Sequence, residues 1–358
     1  MSCSRRAGAA LVRSRVLRRA GEGLVRLDAA LARRAGVEDG GQAGTALGGV
    51  PEASGDLDVP RSVAPFLTFS PPGHFYSPVP DLADIEAQAE RLFDVNRELP
   101  GIDLRAGEQL ELFKTLAALA REAPLEASSQ ASLGTSARFR LDNPNYGVGD
   151  ASILQAMLRH LRPARYLEVG SGYTTALALD TNDRYLGGAM AVTAVEPYPD
   201  LVRGVTRRGD RVEVLAEPVQ SVPIERFLSL GAGDVLFVDS SHVLKTGSDV
   251  QHLYTNVLPV LAPGVYVHIH DIFWPFEYLR HWVEAGRAWN EAYLLHAFLL
   301  FNDAFEIVLW NHYLALVHRG VVEAELPQML ETPGGAIWLR RTSGAWSREP
   351  GTSRSGGG

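Results

Sequence analysis

From Ala151 onward the chain alternates short apolar runs with stretches of helical apolar spacing, and this alternation leaves few folds open. The runs are Arg165–Val169, Ala191–Glu196, Arg211–Ala216, Asp234–Asp239, Gly264–Ile269, Phe305–Trp310 and Ala336–Arg340. Ile153–Leu161, Asp249–Leu261 and Glu284–Leu300 carry helical spacing between or beside them. Short strands joined by helices and short loops specify an α/β fold with a doubly wound parallel sheet. The unbroken apolar stretch inside Asp234–Asp239 suits a strand covered on both faces. The last two runs are expected to form an antiparallel edge pair, making seven strands.

The remainder of the 358 residues divides by composition. Residues 1–60 read as a basic arm and linker, 61–150 as a mostly helical accessory region, 151–342 as the core, and 343–358 as a disordered tail. In the accessory region a helix is expected over Asp81–Leu99, with Asp81 as its N-cap, and another over Glu108–Arg121. The Pro-rich Phe75–Pro80 stretch and the turn-rich Asn143–Asp150 stretch are candidates for a lid. Residues 1–34 hold nine arginines against Glu22 and Asp28, with Leu17, Leu24 and Leu31 at heptad spacing. They read as a surface-binding arm, a transit peptide or an unstructured extension. The formal charge is −8 overall. With +7 on that arm, −15 falls on the rest, which argues against a broad nucleic-acid surface. The longest apolar runs, such as Ala292–Phe301, are half the ~20 residues of a membrane-spanning helix, so no transmembrane segment is expected. Cys3 is the only cysteine, which excludes an intrachain disulfide and fits a cytoplasmic location. Lysine occurs twice, at Lys114 and Lys245.

In open α/β sheets ligands bind beyond the carboxyl ends of the strands, where strand order reverses. The residues just past each expected strand therefore matter most. The first run continues as Glu168-Val-Gly-Ser-Gly-Tyr-Thr-Thr175, a glycine turn into a helix. A dinucleotide fingerprint needs a third glycine, and Thr175 stands near its place. Glu168 would repel a pyrophosphate but could hold an amino-bearing ligand. Glu196 ends the second run, where a carboxylate can accept from ribose hydroxyls.

These residues, with Asp239 after the fourth strand, resemble the class I S-adenosylmethionine-dependent methyltransferases over about residues 151–341. The stretches Asp239-Ser-Ser-His-Val-Leu-Lys-Thr-Gly-Ser-Asp249, His268-Ile-His-Asp-Ile-Phe-Trp-Pro-Phe-Glu277 and Gly286-Arg-Ala-Trp-Asn-Glu-Ala-Tyr293 are similar to one bacterial branch of that superfamily. The resemblance implies a Rossmann-like methyltransferase sheet and S-adenosyl-L-methionine as cofactor. By it, Gly170, Ser171 and Gly172 line the methionine part, Glu168 approaches the amino group, and Tyr173 and Thr174 lie near the carboxylate. Glu196 takes the ribose, with Pro197 and Tyr198 beside the adenine. Val219 and Gln220 flank its edge, and Asp239 faces the sulfonium.

The chemistry expected at the fourth and fifth strand ends has more than one form. His242 is a candidate general base, since a neutral imidazole suits removal of a hydroxyl proton. It stands three residues after Asp239, where catechol O-methyltransferase-type enzymes have a lysine. Asp239 and Asp271, with His270 or His242, form a candidate divalent-metal set. The catechol-type pattern wants an Asn after the second aspartate, and this chain has Ile272. His268 reads as a packing histidine. Lys245 either meets an acidic substrate group or pairs with Asp249. Trp274 and its aromatic neighbours either wall the acceptor pocket or belong to the core. The function expected is methyl transfer to oxygen of a small-molecule or sugar-like acceptor. A metal-dependent oxygenase or hydroxylase on the same fold, and a non-catalytic cofactor-binding scaffold, are the rival readings.

Overall fold

The computed structural model describes residues 61–125 and 137–342, so the expected arm and tail lie outside the described residues. Seven strands form one sheet: β1 (Arg165–Val169), β2 (Ala191–Val195), β3 (Val212–Leu215), β4 (Val235–Val238), β5 (Tyr266–Ile269), β6 (Phe305–Trp310) and β7 (Ile337–Arg341). Their order is β3-β2-β1-β4-β5-β7-β6. The first five pair in parallel, and β7 runs antiparallel to both β5 and β6. The expected edge pair is present, with β7 inside and β6 at the edge. All of β4 is buried, so both faces of the sheet are covered. Each fully buried Val, Leu or Phe there contributes roughly 1.5–3 kcal/mol of hydrophobic stabilisation.

Two buried acids staple the sheet. Asp234, just before β4, accepts from Arg165 N at 2.8 Å and Gly231 N at 2.9 Å, fixing the start of β4 against β1. Asp150 lies in the first turn of the Val148–Leu161 helix and is 3% exposed. It accepts from Asn311 Nδ2 at 2.8 Å, Gly335 N at 3.1 Å and Ala336 N at 3.2 Å, tying that helix to the approach of β7. The helix begins five residues before the expected Ile153, because these tertiary donors fix residues that read locally as a turn. The Ala106–Glu122 helix packs against it and against β6.

A second difference lies between 284 and 300, where one long helix was expected. The Arg280–Glu284 helix ends at Ala285, and Gly286 adopts φ +86°. A new helix, Glu291–Leu299, starts where Asn290 N and Glu291 N both donate to the His242 carbonyl, at 3.0 and 3.1 Å. A long-range backbone contact, not local propensity, sets that start.

The described residues fall into two units. One comprises those up to Glu98 together with Leu279–Ala288, and the other Leu99–Tyr278 together with Trp289 onward, which includes the sheet. In the first, Asp81 caps the Leu82–Ala87 helix by accepting from Ala83 N at 2.8 Å, and a short Ala89–Leu92 helix follows. The expected single helix is broken at Gln88, whose side chain donates back to the Asp84 carbonyl. In the second, a hollow of about 420 Å³ lies by the loops entering β2 and β3. Its Arg138 is saturated by Asp180, Asp183 and Asp210, which marks a structural clamp. Among the described residues, no helix is long and apolar enough to cross a membrane.

Asp150→Ala orphans three buried donors at ~1 kcal/mol or more each. The free energy of unfolding is expected to fall by about 3 kcal/mol, read from the urea midpoint at unchanged slope.

Candidate active site at the carboxyl edge of the sheet

Strand order reverses between β1 and β4, so the chains leaving these two strands meet at the carboxyl edge. Asp239 N donates to the Val169 carbonyl at 2.8 Å, and Gly170 N to the Val195 carbonyl at 3.0 Å. Gly170 has φ +78°, and a Cβ there would stand 1.9 Å from the Asp239 carbonyl oxygen. The glycine is therefore required by the neighbouring backbone.

Below this turn, Glu168 is fully buried. It accepts from the Tyr166 hydroxyl at 3.1 Å and, through a short contact, from the Thr175 hydroxyl, with the Thr174 hydroxyl also bonded to it. Burial lifts its carboxyl to about 7, against the lowering effect of those three hydroxyls. The structure thus gives Glu168 the start of the Tyr173–Tyr185 helix to hold. Above the turn, Glu196 is half-buried and accepts from Ser171 N at 3.1 Å and Tyr198 N at 2.9 Å. The Ser171 hydroxyl is buried without a partner among the described residues. Pro197 and Tyr198 are exposed, Tyr198 by 84%. Gln220, on the Val219–Ser221 turn after β3, donates to the Gly247 carbonyl at 2.9 Å.

Across the order reversal, one imidazole meets three carboxylates. His242 Nδ1 lies 2.9 Å from Glu291 Oε2, while Nε2 lies 3.3 Å from Asp239 Oδ1 and 3.5 Å from Asp271 Oδ2. The ring is 4% exposed and packs on Trp289 with centroids 4.4 Å apart. The Asp239 side chain is 37% exposed and that of Asp271 14%, so Asp239 is the more accessible member. His242 and Asp271 both hold left-handed backbone, φ +59° and +56°, a strained state that the surrounding bonds must maintain. Burial opposes a charge on His242, but hydrogen bonds to Asp239 and Glu291 and the nearby Asp271 outweigh it. The imidazole is held well above its ordinary range. Desolvation likewise opposes ionisation of Asp239, and the His242 bond with the His270 charge overrides it and lowers this carboxyl.

The other expected residues are placed as follows. His270 Nε2 is 3.6 Å from Asp271 Oδ1 and its Nδ1 3.9 Å from Asp150 Oδ2. The candidate metal-ligand atoms that converge within 4.8 Å come from Asp239, His242 and Asp271. His268 is fully buried and stacked on Phe237 at 4.0 Å, and burial holds it well below the ordinary histidine range, as a neutral packing ring. Asp249 accepts from Ser241 N and Oγ at 2.7 and 2.6 Å, and Lys245 is exposed on the same loop. Trp274 packs in the core on Trp310 and Tyr313. Glu291 was not singled out from the sequence. Its signals are its place in the Gly286–Tyr293 stretch of the branch resemblance and an acid directly before the apolar run that starts at Ala292.

A family model described as a methyltransferase domain matches residues 167–272. An uncharacterized protein of Archaeoglobus fulgidus is 30% identical over 164 residues, which span 45% of this chain and 73% of that protein. Among solved structures, the S-adenosylhomocysteine-bound Podospora anserina methyltransferase PaMTH1 is 15% identical. The match covers 74% of this chain and 98% of that one, at a TM-score of 0.37. The apo structure of CmcI-N160 is 17% identical over 57% and 73% of the two chains, at a TM-score of 0.34.

Glu168→Gln keeps the shape while removing the buried charge. The folded-state pKa is raised from 4.5 to about 7, so the native state binds the extra proton and stability falls as pH rises through that window. The variant is expected to melt higher than the parent at pH 8 and to lose this advantage at pH 4, by thermal unfolding at the two pH values.

Proposed function

From the methyltransferase-domain match over residues 167–272 and the seven-stranded sheet, we propose that the chain is a class I S-adenosylmethionine-dependent methyltransferase that transfers a methyl group to a hydroxyl of a small-molecule or sugar-like acceptor. The observation that carries this is the acid-lined mouth at the order reversal, where Glu196, Asp239 and Asp271 stand around the Gly170–Gly172 turn. That donor set favours a cationic cofactor. The orphaned Ser171 hydroxyl awaits a polar partner there, and the exposed Tyr198 ring offers a face for a base. When bound, S-adenosylmethionine supplies a methyl on a sulfonium, already activated to leave.

On this reading the Gly170–Gly172 turn, Tyr173 and Thr174 border the methionine part, with Glu168 supporting them from beneath. Glu196 binds ribose hydroxyls through the lone pairs left after Ser171 N and Tyr198 N, and Pro197, Val219 and Gln220 border the base. Asp239 and Asp271 orient the acceptor hydroxyl. His242, having first given its Nε2 proton to solvent, takes the acceptor hydroxyl's proton on that nitrogen. Lys245 is assigned to an anionic group on the acceptor. The single cysteine motivates a cytoplasmic assignment.

A second reading is favoured by the convergence of Asp239, His242 and Asp271. Asp239 and Asp271 would hold a divalent ion through one carboxylate oxygen each, and His242 through a ring nitrogen. Such an ion would bind the acceptor oxygen and lower its pKa. Methyl transfer that survives exhaustive chelation and is not raised by Mg²⁺ or Mn²⁺ excludes that reading.

Isothermal titration is expected to detect binding of S-adenosylmethionine and S-adenosylhomocysteine to the folded chain, and absence of both rejects the proposal. With radiolabelled S-adenosylmethionine and a panel of phenolic and sugar hydroxyls, His242→Ala is expected to cut transfer by about 10²–10⁴ while keeping S-adenosylhomocysteine affinity. Since His242 must be neutral to accept a proton, the rate is expected to climb with pH through a pKa above the ordinary histidine value. That limb disappears in His242→Gln, and a flat profile in the parent rejects His242 as the base.

A further inference from the structure

We propose that Glu291 is the positioning residue that keeps a proton on His242 Nδ1 and thereby directs the basic Nε2 at Asp239 and Asp271. This deepens the methyl-transfer reading above and rests on it for its catalytic meaning.

Four observations converge. Glu291 is fully buried, the first residue of the Glu291–Leu299 helix. One of its oxygens lies 2.9 Å from His242 Nδ1 and accepts the Ser240 hydroxyl at 2.7 Å. That serine oxygen in turn accepts from His242 N at 3.0 Å, so the loop and the carboxylate grip each other. The backbones lock as well, since Asn290 N and Glu291 N donate to the His242 carbonyl and Leu244 N donates to Asn290 Oδ1 at 2.6 Å.

The chemistry follows from the imidazole having two nitrogens. A carboxylate is an acceptor only, so its partner nitrogen must carry hydrogen. With Nδ1 committed to Glu291, Nε2 is the nitrogen turned to the Asp239–Asp271 side, 3.3 and 3.5 Å from their oxygens. Without Glu291 either nitrogen can be emptied, and the ring is free to turn. The arrangement has the logic of an acid orienting a catalytic histidine, reached here from a helix start 49 residues away.

The test uses the full chain labelled with ¹⁵N-histidine, with His242 resonances identified by their loss in His242→Gln. The parent is expected to show a slowly exchanging, far-downfield proton on Nδ1. In Glu291→Gln, which keeps shape and loses charge, that proton is expected to move upfield and exchange faster. Glu291→Asp is expected to restore it in part. Ser240→Ala, which spares the carboxylate, gives an intermediate shift and stands in should Glu291→Gln fail to fold. S-adenosylhomocysteine affinity by titration is expected to stay within about twofold in all variants. An Nδ1 proton unchanged in Glu291→Gln, or in Ser240→Ala where only that variant folds, overturns the assignment. A parent that fails to bind S-adenosylhomocysteine rejects the methyltransferase reading, while the Nδ1 signal still decides what Glu291 does to His242.

Discussion

The chains leaving β1 and β4 pass so close at the carboxyl edge that Gly170 has no room for a side chain against the Asp239 carbonyl. This contact follows from topology. From β1 the sheet grows one way through β2 and β3, and from β4 it grows the other way through β5. The helices that would cover a strand end elsewhere diverge here and leave a crevice. The glycine turn brings its backbone and Glu196 to one wall, while Asp239 and Asp271 stand at the other. Moving either loop outward by the width of a methyl group would separate the two halves of the site.

The carboxylates divide by position. Asp234 and Asp150 are consumed by backbone and amide donors and act as staples. Glu168 faces hydroxyls beneath the turn and keeps its carboxyl near neutrality by burial. Asp239, Asp271 and Glu196 retain acceptor capacity at the strand ends. The same side chain thus locks a helix in one place and makes a cation-seeking mouth in another. The difference is whether neighbouring N–H and O–H groups use up its lone pairs.

His242 is where these acids are reconciled. Three carboxylates within reach of one ring would repel one another without a positive charge among them, and the imidazolium supplies it. On the proposed reading, a sulfonium beside Asp239 would compete for that place and couple cofactor binding to the protonation of His242.

The strands, the glycine turn and the strand-end acids at 196, 239 and 271 were legible because each is a local pattern: apolar runs of set length, a turn residue, an acid at a boundary. The antiparallel closure by the last two runs was legible as well. Residues 284–300 were not, because the start of the Glu291–Leu299 helix is set by bonds to the His242 carbonyl in a distant loop. Glu291 stayed hidden for the same reason, since an acid before an apolar run looks like any helix start. Asp150 read as the end of a turn until its partners at 311, 335 and 336 were in place. The sequence by itself determined the sheet, its covered strands and the glycine turn at its carboxyl edge, since hydrophobic period and strand length act over neighbouring residues. Only the tertiary structure decided which acids are spent on the fold, which imidazole stands between the aspartates, and which carboxylate orients it. Those roles depend on donors brought together across tens to hundreds of residues.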